Sequence, residues 1–310
     1  MAPAPIALFM YRRPDHVRRT IDSLRANPEF AASPVIIYCD GAKTPDAQQS
    51  VNEARRVAKE LVPHARFVER DTNAGLARSI VEGVTAAIAE HDRVIVIEDD
   101  LEVAPTFLAY MNAALDRYAD EPRVLQVSGY QFPLDPPLKT RGAFLTLATS
   151  LGWGTWGRAW KQLDDRTAVA KLRGDRALRR RFDLDGAYPY FSMLDRQQRG
   201  LVDSWAIRWY ATVFTRGGLV HYPGRSLVCH FGGDGTGTHD APGARWEDPP
   251  VLGRRERDWD LARVELDASA QARIHEFMRT QRVILRRARA AYLARRWFNM
   301  LRSRLNPLRR

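Results

Sequence analysis

The sequence predicts an α/β fold: a mostly parallel, Rossmann-like sheet flanked by helices, with a basic amphipathic helical tail after it. Two patterns predict the sheet. Over the first 130 residues, short β-branched apolar runs alternate with stretches of helical periodicity, which implies right-handed βαβ units. The run "RVIVIEDD" (93–100) is apolar through its body, as expected of a strand covered on both faces. The tail follows from charge, because residues 281–310 hold ten arginines and no acid.

The elements follow in order. "IALFMY" (6–11) makes a first strand and "PDHVRRTIDSLRAN" a helix, with Pro14 near its start where a missing N–H does no harm. "PVIIYCD" (34–40) is the second strand, followed by a helix over 45–62. "ARFVER" is a short third strand, "DTNAG" a turn built on Asn73 and Gly75, and "LARSIVEGVTAAIAE" the next helix. "RVIVIEDD" leads to a helix over 105–119 and "RVLQVSGY" to a fifth strand. Beyond 131, "SLGWGTWGRAW" spaces Trp153, Trp156 and Trp160 by three and four residues, which on a helix is one face. Residues 175–215 have helical character, "LVHYPGRSLVCHFG" suits two short strands, and "GGDGTGTHDAPG" is a glycine-rich loop. Residues 255–310 are expected to be helical.

The composition, 45% apolar and 27% charged, is that of a folded soluble chain. No apolar run approaches the roughly 20 residues of a membrane span, and the first residues lack the pattern of a signal peptide. A cytoplasmic location is therefore expected. Cys39 and Cys229 lie in apolar strand patterns and are read as small buried hydrophobes. Of the net charge of +11, the tail's ten arginines account for all but +1, so a nucleic-acid partner is disfavoured for the body.

Open α/β sheets bind ligands beyond the carboxyl ends of their strands. Asp40 ends the second strand, Asp71 and Asn73 follow the third, and Glu98, Asp99 and Asp100 end the fourth. Strand alternation would put Glu98 and Asp100 on one side and Asp99 on the other. Like charges at a buried strand end repel one another, so a cationic ligand is expected there. Oxygen-rich clusters suit Mn²⁺ or Mg²⁺, which keep several waters and bridge to phosphates. A Walker lysine loop and a G-x-G-x-x-G after the first strand are both lacking, which disfavours ATPase and dinucleotide-dehydrogenase chemistry.

"VIVIEDDLEVAP" resembles the Glu-Asp-Asp segment of the N-acetylglucosaminyltransferase I family, inverting, metal-dependent enzymes of GT-A fold. "RRPDHVRRTIDSL", "LVDSWAIRW" and "HFGGDGTGTH" resemble further blocks of that family in the same order, over roughly residues 5 to 240. The resemblance implies a GT-A domain over 1–250, with a nucleotide-binding half at 1–130, an acceptor half at 131–250 and a helical basic tail at 251–310. It implies Asp100 as metal ligand, Asp99 and Asp40 as nucleotide contacts, and Arg13 or Arg12 near the nucleotide. Asp203 would be the catalytic base, and Thr238 would lie on a loop ordered by the donor.

From the residues themselves, Glu98 and Asn73 join the donor edge. Asp203, between Val202 and Trp205 at an apparent helix start, is set against an apolar wall that would suit a base. Its bland alternative is a helix cap, and Asp234 in the glycine loop is the rival base. His230 and His239 flank that loop and could meet diphosphate or metal, with His239 ranked higher. Trp153, between two glycines, is expected to stack on the sugar. The expected function is metal-dependent, inverting transfer from a nucleotide-diphosphate sugar, UDP-linked and conceivably UDP-GlcNAc, to a surface-glycan or lipid-linked acceptor. A sugar nucleotidyltransferase, a retaining transferase, or a non-catalytic glycan- or nucleic-acid-binding module are the alternatives. In the tail, Ala290, Ala294, Trp297, Phe298, Leu301, Leu305 and Leu308 form one helical stripe among arginines. Such a helix suits an anionic membrane surface, which would make the protein peripheral on the inner face.

Overall fold

A computed structural model describes residues 2–232, 251 and 259–283. The first half builds the expected alternation: β1 (Ile6–Met10), α1 (Pro14–Arg25), β2 (Val35–Cys39), α2 (Gln48–Leu61), β3 (Arg66–Glu69), α3 (Leu76–His91) and β4 (Arg93–Glu98). Then come β5 (Leu101–Val103), α4 (Phe107–Arg117), β6 (Val124–Ser128), β7 (Gly142–Leu145), β8 (Trp153–Trp156) and the single turn α5 (Gly157–Trp160). Helices α6 (Asp165–Gly174), α7 (Arg176–Phe182), α8 (Tyr190–Gln198) and α9 (Trp205–Thr215) precede β9 (Leu219–Pro223) and β10 (Val228–His230).

Eight strands form one sheet in the order β3-β2-β1-β4-β8-β6-β9-β7. Its parallel ladders join β3, β2, β1 and β4, and separately β6 and β9, while β8 and β7 pair antiparallel with their neighbours. Six strands therefore point their carboxyl ends to one edge. The mostly parallel α/β sheet read from the sequence is the sheet of the protein. β1 separates β2 from β4, so the acids ending those two strands are one strand further apart than expected. Strand β5 was not anticipated; it pairs antiparallel with β10 as a two-stranded sheet beside the acidic turn.

Burial explains the sheet. Every residue of β1 and β2 is buried, as are Val94 to Ile97 of β4. Helix α3 packs closely because it carries Gly83 in mid-helix. A methyl there would stand 2.6 Å from the Phe9 ring, and the Tyr38 hydroxyl donates 2.8 Å to the Gly83 carbonyl. Cys39 and Cys229 are buried and form no disulfide, as their apolar setting suggested.

The tryptophan pattern belongs to the sheet, not to one helix. Trp153 and Trp156 lie on β8, which inserts antiparallel between β4 and β6, with Trp153 opposite Val96 and Ser128. Gly154 makes the insertion possible, since a Cβ there would stand 3.0 Å from the Val94 carbonyl. The Trp153 indole is 0% exposed and stacks on Trp205 at 5.1 Å. It cannot meet a sugar face, so the expected stacking platform is overturned by packing.

The chain returns at 259–283, where residues 268–283 are helical, and packs on the body. Trp259, Ala270, Ile274 and Met278 are buried, and Tyr118 donates 2.6 Å to the Ala262 carbonyl. Here His221 is a buried pin. Its Nε2 lies 3.3 Å from the Ala262 N–H and its Nδ1 2.8 Å from the Tyr110 hydroxyl. Burial pushes its pKa down from 6.5 to about 3. The folded state thus refuses a proton that the unfolded chain accepts. Its contribution is complete above pH 6.5 and is lost as pH falls toward 3, at up to about 1.4 kcal/mol per pH unit. We expect urea midpoints to fall between pH 7 and 5, and His221→Gln to flatten that fall. An unchanged slope in the variant would contradict the assignment.

Candidate functional site

The acidic turn is the centre of the carboxyl edge. Strand β4 ends at Glu98, and Asp99 and Asp100 form the turn into β5, so strand alternation no longer applies to them. Both carboxylates converge on one cation: Arg13 Nη2 donates 2.5 Å to Asp99 Oδ1 and 2.9 Å to Asp100 Oδ2. Arg13 precedes α1 at the end of β1, the strand lying between β2 and β4. The Tyr11 N–H adds a 3.0 Å bond to Asp99 Oδ2, a backbone contribution that no side-chain pattern could reveal.

The two carboxyls are shifted in opposite directions. Burial pushes the Asp99 carboxyl above its ordinary range, against the opposing charge of Arg13. Burial also acts upward on Asp100, but the hydrogen bond and charge of His230, with Arg13, outweigh it and hold Asp100 below that range. Asp99 is the more deeply buried of the two, its side chain 7% exposed against 17% for Asp100.

His230 ends β10, with Nε2 3.4 Å from Asp100 Oδ2. The Phe231 N–H donates 3.0 Å to the Asp100 carbonyl, and its ring lies between Arg19 (4.0 Å) and His16 (5.0 Å) of α1. At Gly232 a Cβ would stand 2.5 Å from Asp100 Oδ2, so glycine is what lets this backbone pass the carboxylate. His230, ranked below His239 from sequence, is the histidine found at the acids. Thr238, His239 and Asp234 lie outside the described residues, as do the stripe residues Ala290 to Leu308.

Asp40 forms a second cluster, past β2. Its Oδ1 accepts from the N–H groups of Gly41 (3.0 Å) and Ala74 (2.8 Å), and its Oδ2 from Gly75 N–H and Asn73 Nδ2, both 3.0 Å. Asp40 and Asn73 thus come together, as a carboxylate that shapes the 73–75 turn. Gly75 has φ +83°, a conformation favouring glycine, and a Cβ on it would be 3.4 Å from Asp203 Oδ2. Asp203 therefore stands over this same edge, although its position in sequence is remote. It is exposed rather than set against an apolar wall, and Ser204, not Asp203, occupies the cap position of α9. Arg12 is exposed over the Tyr11 ring at 5.7 Å, and Glu98 is half-buried opposite Phe9 of β1.

No group of three or more His, Cys, Asp and Glu able to hold a metal occurs among the described residues. The Asp100–His230 pair still fits Mn²⁺ or Mg²⁺, which take few protein ligands and fill the rest with water and phosphate oxygens. The anionic oxygen suits either ion, and the imidazole nitrogen 3.4 Å from it suits Mn²⁺ rather than Mg²⁺.

Residues 6–157 match the family model described as Glycosyl transferase family 2. No curated protein matches the sequence. Among solved structures, the chain is similar to glucosyl-3-phosphoglycerate synthase from Mycobacterium tuberculosis, solved with Mn²⁺, UDP and glucosyl-3-phosphoglycerate. Identity is 14%, coverage 52% of this chain and 58% of that one, and the TM-score 0.32. A second structure, a mycobacterial protein, matches at 14% identity over 52% of this chain and 54% of that one, with a TM-score of 0.31. The chain thus spans less than two thirds of either. The resemblance to the N-acetylglucosaminyltransferase I family finds no support, because the matched model is that of family 2. The matched segment carries β1 to β8 and the acidic turn.

Proposed function

We propose that the protein transfers a sugar, with inversion, from a UDP-linked donor to a hydroxyl of a surface-glycan or lipid-linked acceptor, and that it requires Mn²⁺ or Mg²⁺. The observation that carries this reading is the convergence of Arg13, Asp99, Asp100 and His230 at the carboxyl edge of the sheet, in a chain whose residues 6–157 match the family 2 model. Asp100 and His230 would hold the ion. When bound, the ion supplies positive charge to the departing diphosphate. Arg13 and Asp99 fix the turn that presents Asp100. The cradle of Asp40 and Asn73 lies where the nucleoside would rest, with Glu98, Arg12, Thr238 and His239 as further donor contacts. Asp203, exposed beside Gly75, accepts the proton of the attacking hydroxyl. Inversion follows from one displacement assisted by one base. With the resemblance to N-acetylglucosaminyltransferase I unsupported, N-acetylglucosamine has no special claim as the donor sugar.

No helix among the described residues is long and apolar enough to cross a membrane, and the ten arginines of residues 281–310 support a peripheral contact with an anionic inner face. The direct test is UDP release from a panel of UDP-sugars with Mn²⁺. Release that EDTA abolishes is the expected result. Binding of donors without release, across the panel and with glycan acceptors present, would favour a binding module.

A further inference from the structure

The helical layer beside Asp203 is unusually basic on its outside. Residues 171–200 contain eight Lys and Arg against four Asp, a net +4. The acids are largely occupied within the layer. Asp195 pairs with Arg173 (2.7 Å) and Arg199 (3.5 Å), Asp175 caps α7, Asp183 accepts from the Phe191 N–H, and Asp185 faces His275. Lys171, Arg176, Arg180, Arg181 and Arg196 are exposed and have no carboxylate partner among the described residues. Arg179 lies over the Phe191 ring at 5.1 Å, joining α7 to α8.

Apolar side chains stand exposed in the same region. Leu201 is 59% exposed and Met193 38%, and Leu76, next to the Gly75 whose Cβ position lies 3.4 Å from Asp203 Oδ2, is 41% exposed. These are three of the five large hydrophobic side chains exposed among the described residues, so they concentrate where Asp203 stands. The helix over 268–283 arrives at this layer too, where Arg282 donates 2.8 Å to the Gly186 carbonyl in the α7–α8 connection.

We propose that the α7–α8 face, with Leu201 and Met193 between its arginines, is a docking surface for an anionic lipid bilayer. The chemistry favours a bilayer over a nucleic acid. Leucine and methionine side chains exposed among arginines can enter the headgroup region, where each apolar group gains burial and each cation meets a phosphate. A nucleic-acid face would place polar and aromatic groups there instead. Docking would set Asp203 at the membrane plane, where a lipid-linked hydroxyl would be presented. This consequence rests on the proposed transfer reaction, but the docking does not.

The test is co-sedimentation of the full chain with vesicles of phosphatidylglycerol and phosphatidylcholine, and with phosphatidylcholine alone. The wild type should partition to the anionic vesicles only, and less as salt rises. The variant Arg176→Glu/Arg180→Glu/Arg181→Glu/Arg196→Glu should partition about a hundredfold more weakly or less still, since several surface cations are reversed at once. Leu201→Ser should weaken partition at every salt concentration. The single variant Arg180→Glu, at an exposed position, should show about a fivefold loss and keeps the test in reach if the quadruple variant does not fold. Melting temperature and its shift with UDP and Mn²⁺ are followed in parallel, so a failed donor site is distinguished from failed docking. Equal partition by wild type and the charge-reversed variants would overturn the proposal. So would salt-sensitive binding to single-stranded RNA with no partition to vesicles.

Discussion

Replacing Asp203 by Asn is expected to lower turnover about 10²–10⁴-fold, the usual worth of a positioned general base. The physical reason is local. An acceptor hydroxyl loses its proton as it attacks, and an amide of the same size cannot take it. Folding should be spared, because Asp203 is exposed and the cap position of α9 belongs to Ser204. Donor affinity should change little, since Asp203 meets the donor edge only where it passes Gly75. Steady-state rates with acceptor present, read beside donor binding, separate the two effects. If Asp203→Asn turns over as wild type does while Asp234→Asn is inactive with normal donor affinity, the base is the other aspartate.

Asp100→Asn should act on a different quantity. It removes the anionic oxygen of the donor pair, so metal-dependent donor binding should collapse and transfer should fall by about 10²–10³-fold, the rate equivalent of a few kcal/mol. Some stability without metal should be lost as well, because the anion that His230 and Arg13 stabilise becomes a neutral amide, while Arg13 keeps its 2.5 Å bond to Asp99. Transfer by this variant at the wild-type rate in EDTA would exclude Asp100 as a metal ligand.

Much of the sheet was legible because its signals are local. Val94 to Ile97 are β-branched and buried, and Pro14 opens α1 at the position where proline suits a helix. What failed was set by distant partners. The spacing of Trp153, Trp156 and Trp160 fits one helical face, but β8 is claimed by β4 and β6 on its two sides, and Gly154 gives it room. Strand β5 is only three residues long and exists because β10 returns to pair with it, which no local pattern announces.

The site was legible in its acids and less so in their partners. Three carboxylates after an apolar strand mark the turn, whatever the fold. That Arg13 serves both Asp99 and Asp100 depends on β1 lying between β2 and β4, a matter of strand order. The nearness of Asp203 to Gly75, and of His230 to Asp100, depends on how α9 and β10 return to the edge. Asp40 shows the opposite case. It was expected as a nucleotide contact, and its oxygens are engaged by four donors of its own loop, so it acts first on the shape of the 73–75 turn.

The central claim is that the Asp99–Asp100 turn binds a metal-bridged nucleoside diphosphate, and melting temperature measures it directly, because a ligand of the folded state alone raises that temperature. UDP and Mn²⁺ together should raise the melting temperature of the wild type by more than the two separate shifts combined. Asp100→Asn should abolish that excess, each shift being read against the variant's own unliganded melting temperature. An excess of equal size in wild type and Asp100→Asn, or no shift with any nucleoside diphosphate and Mn²⁺, would contradict the account.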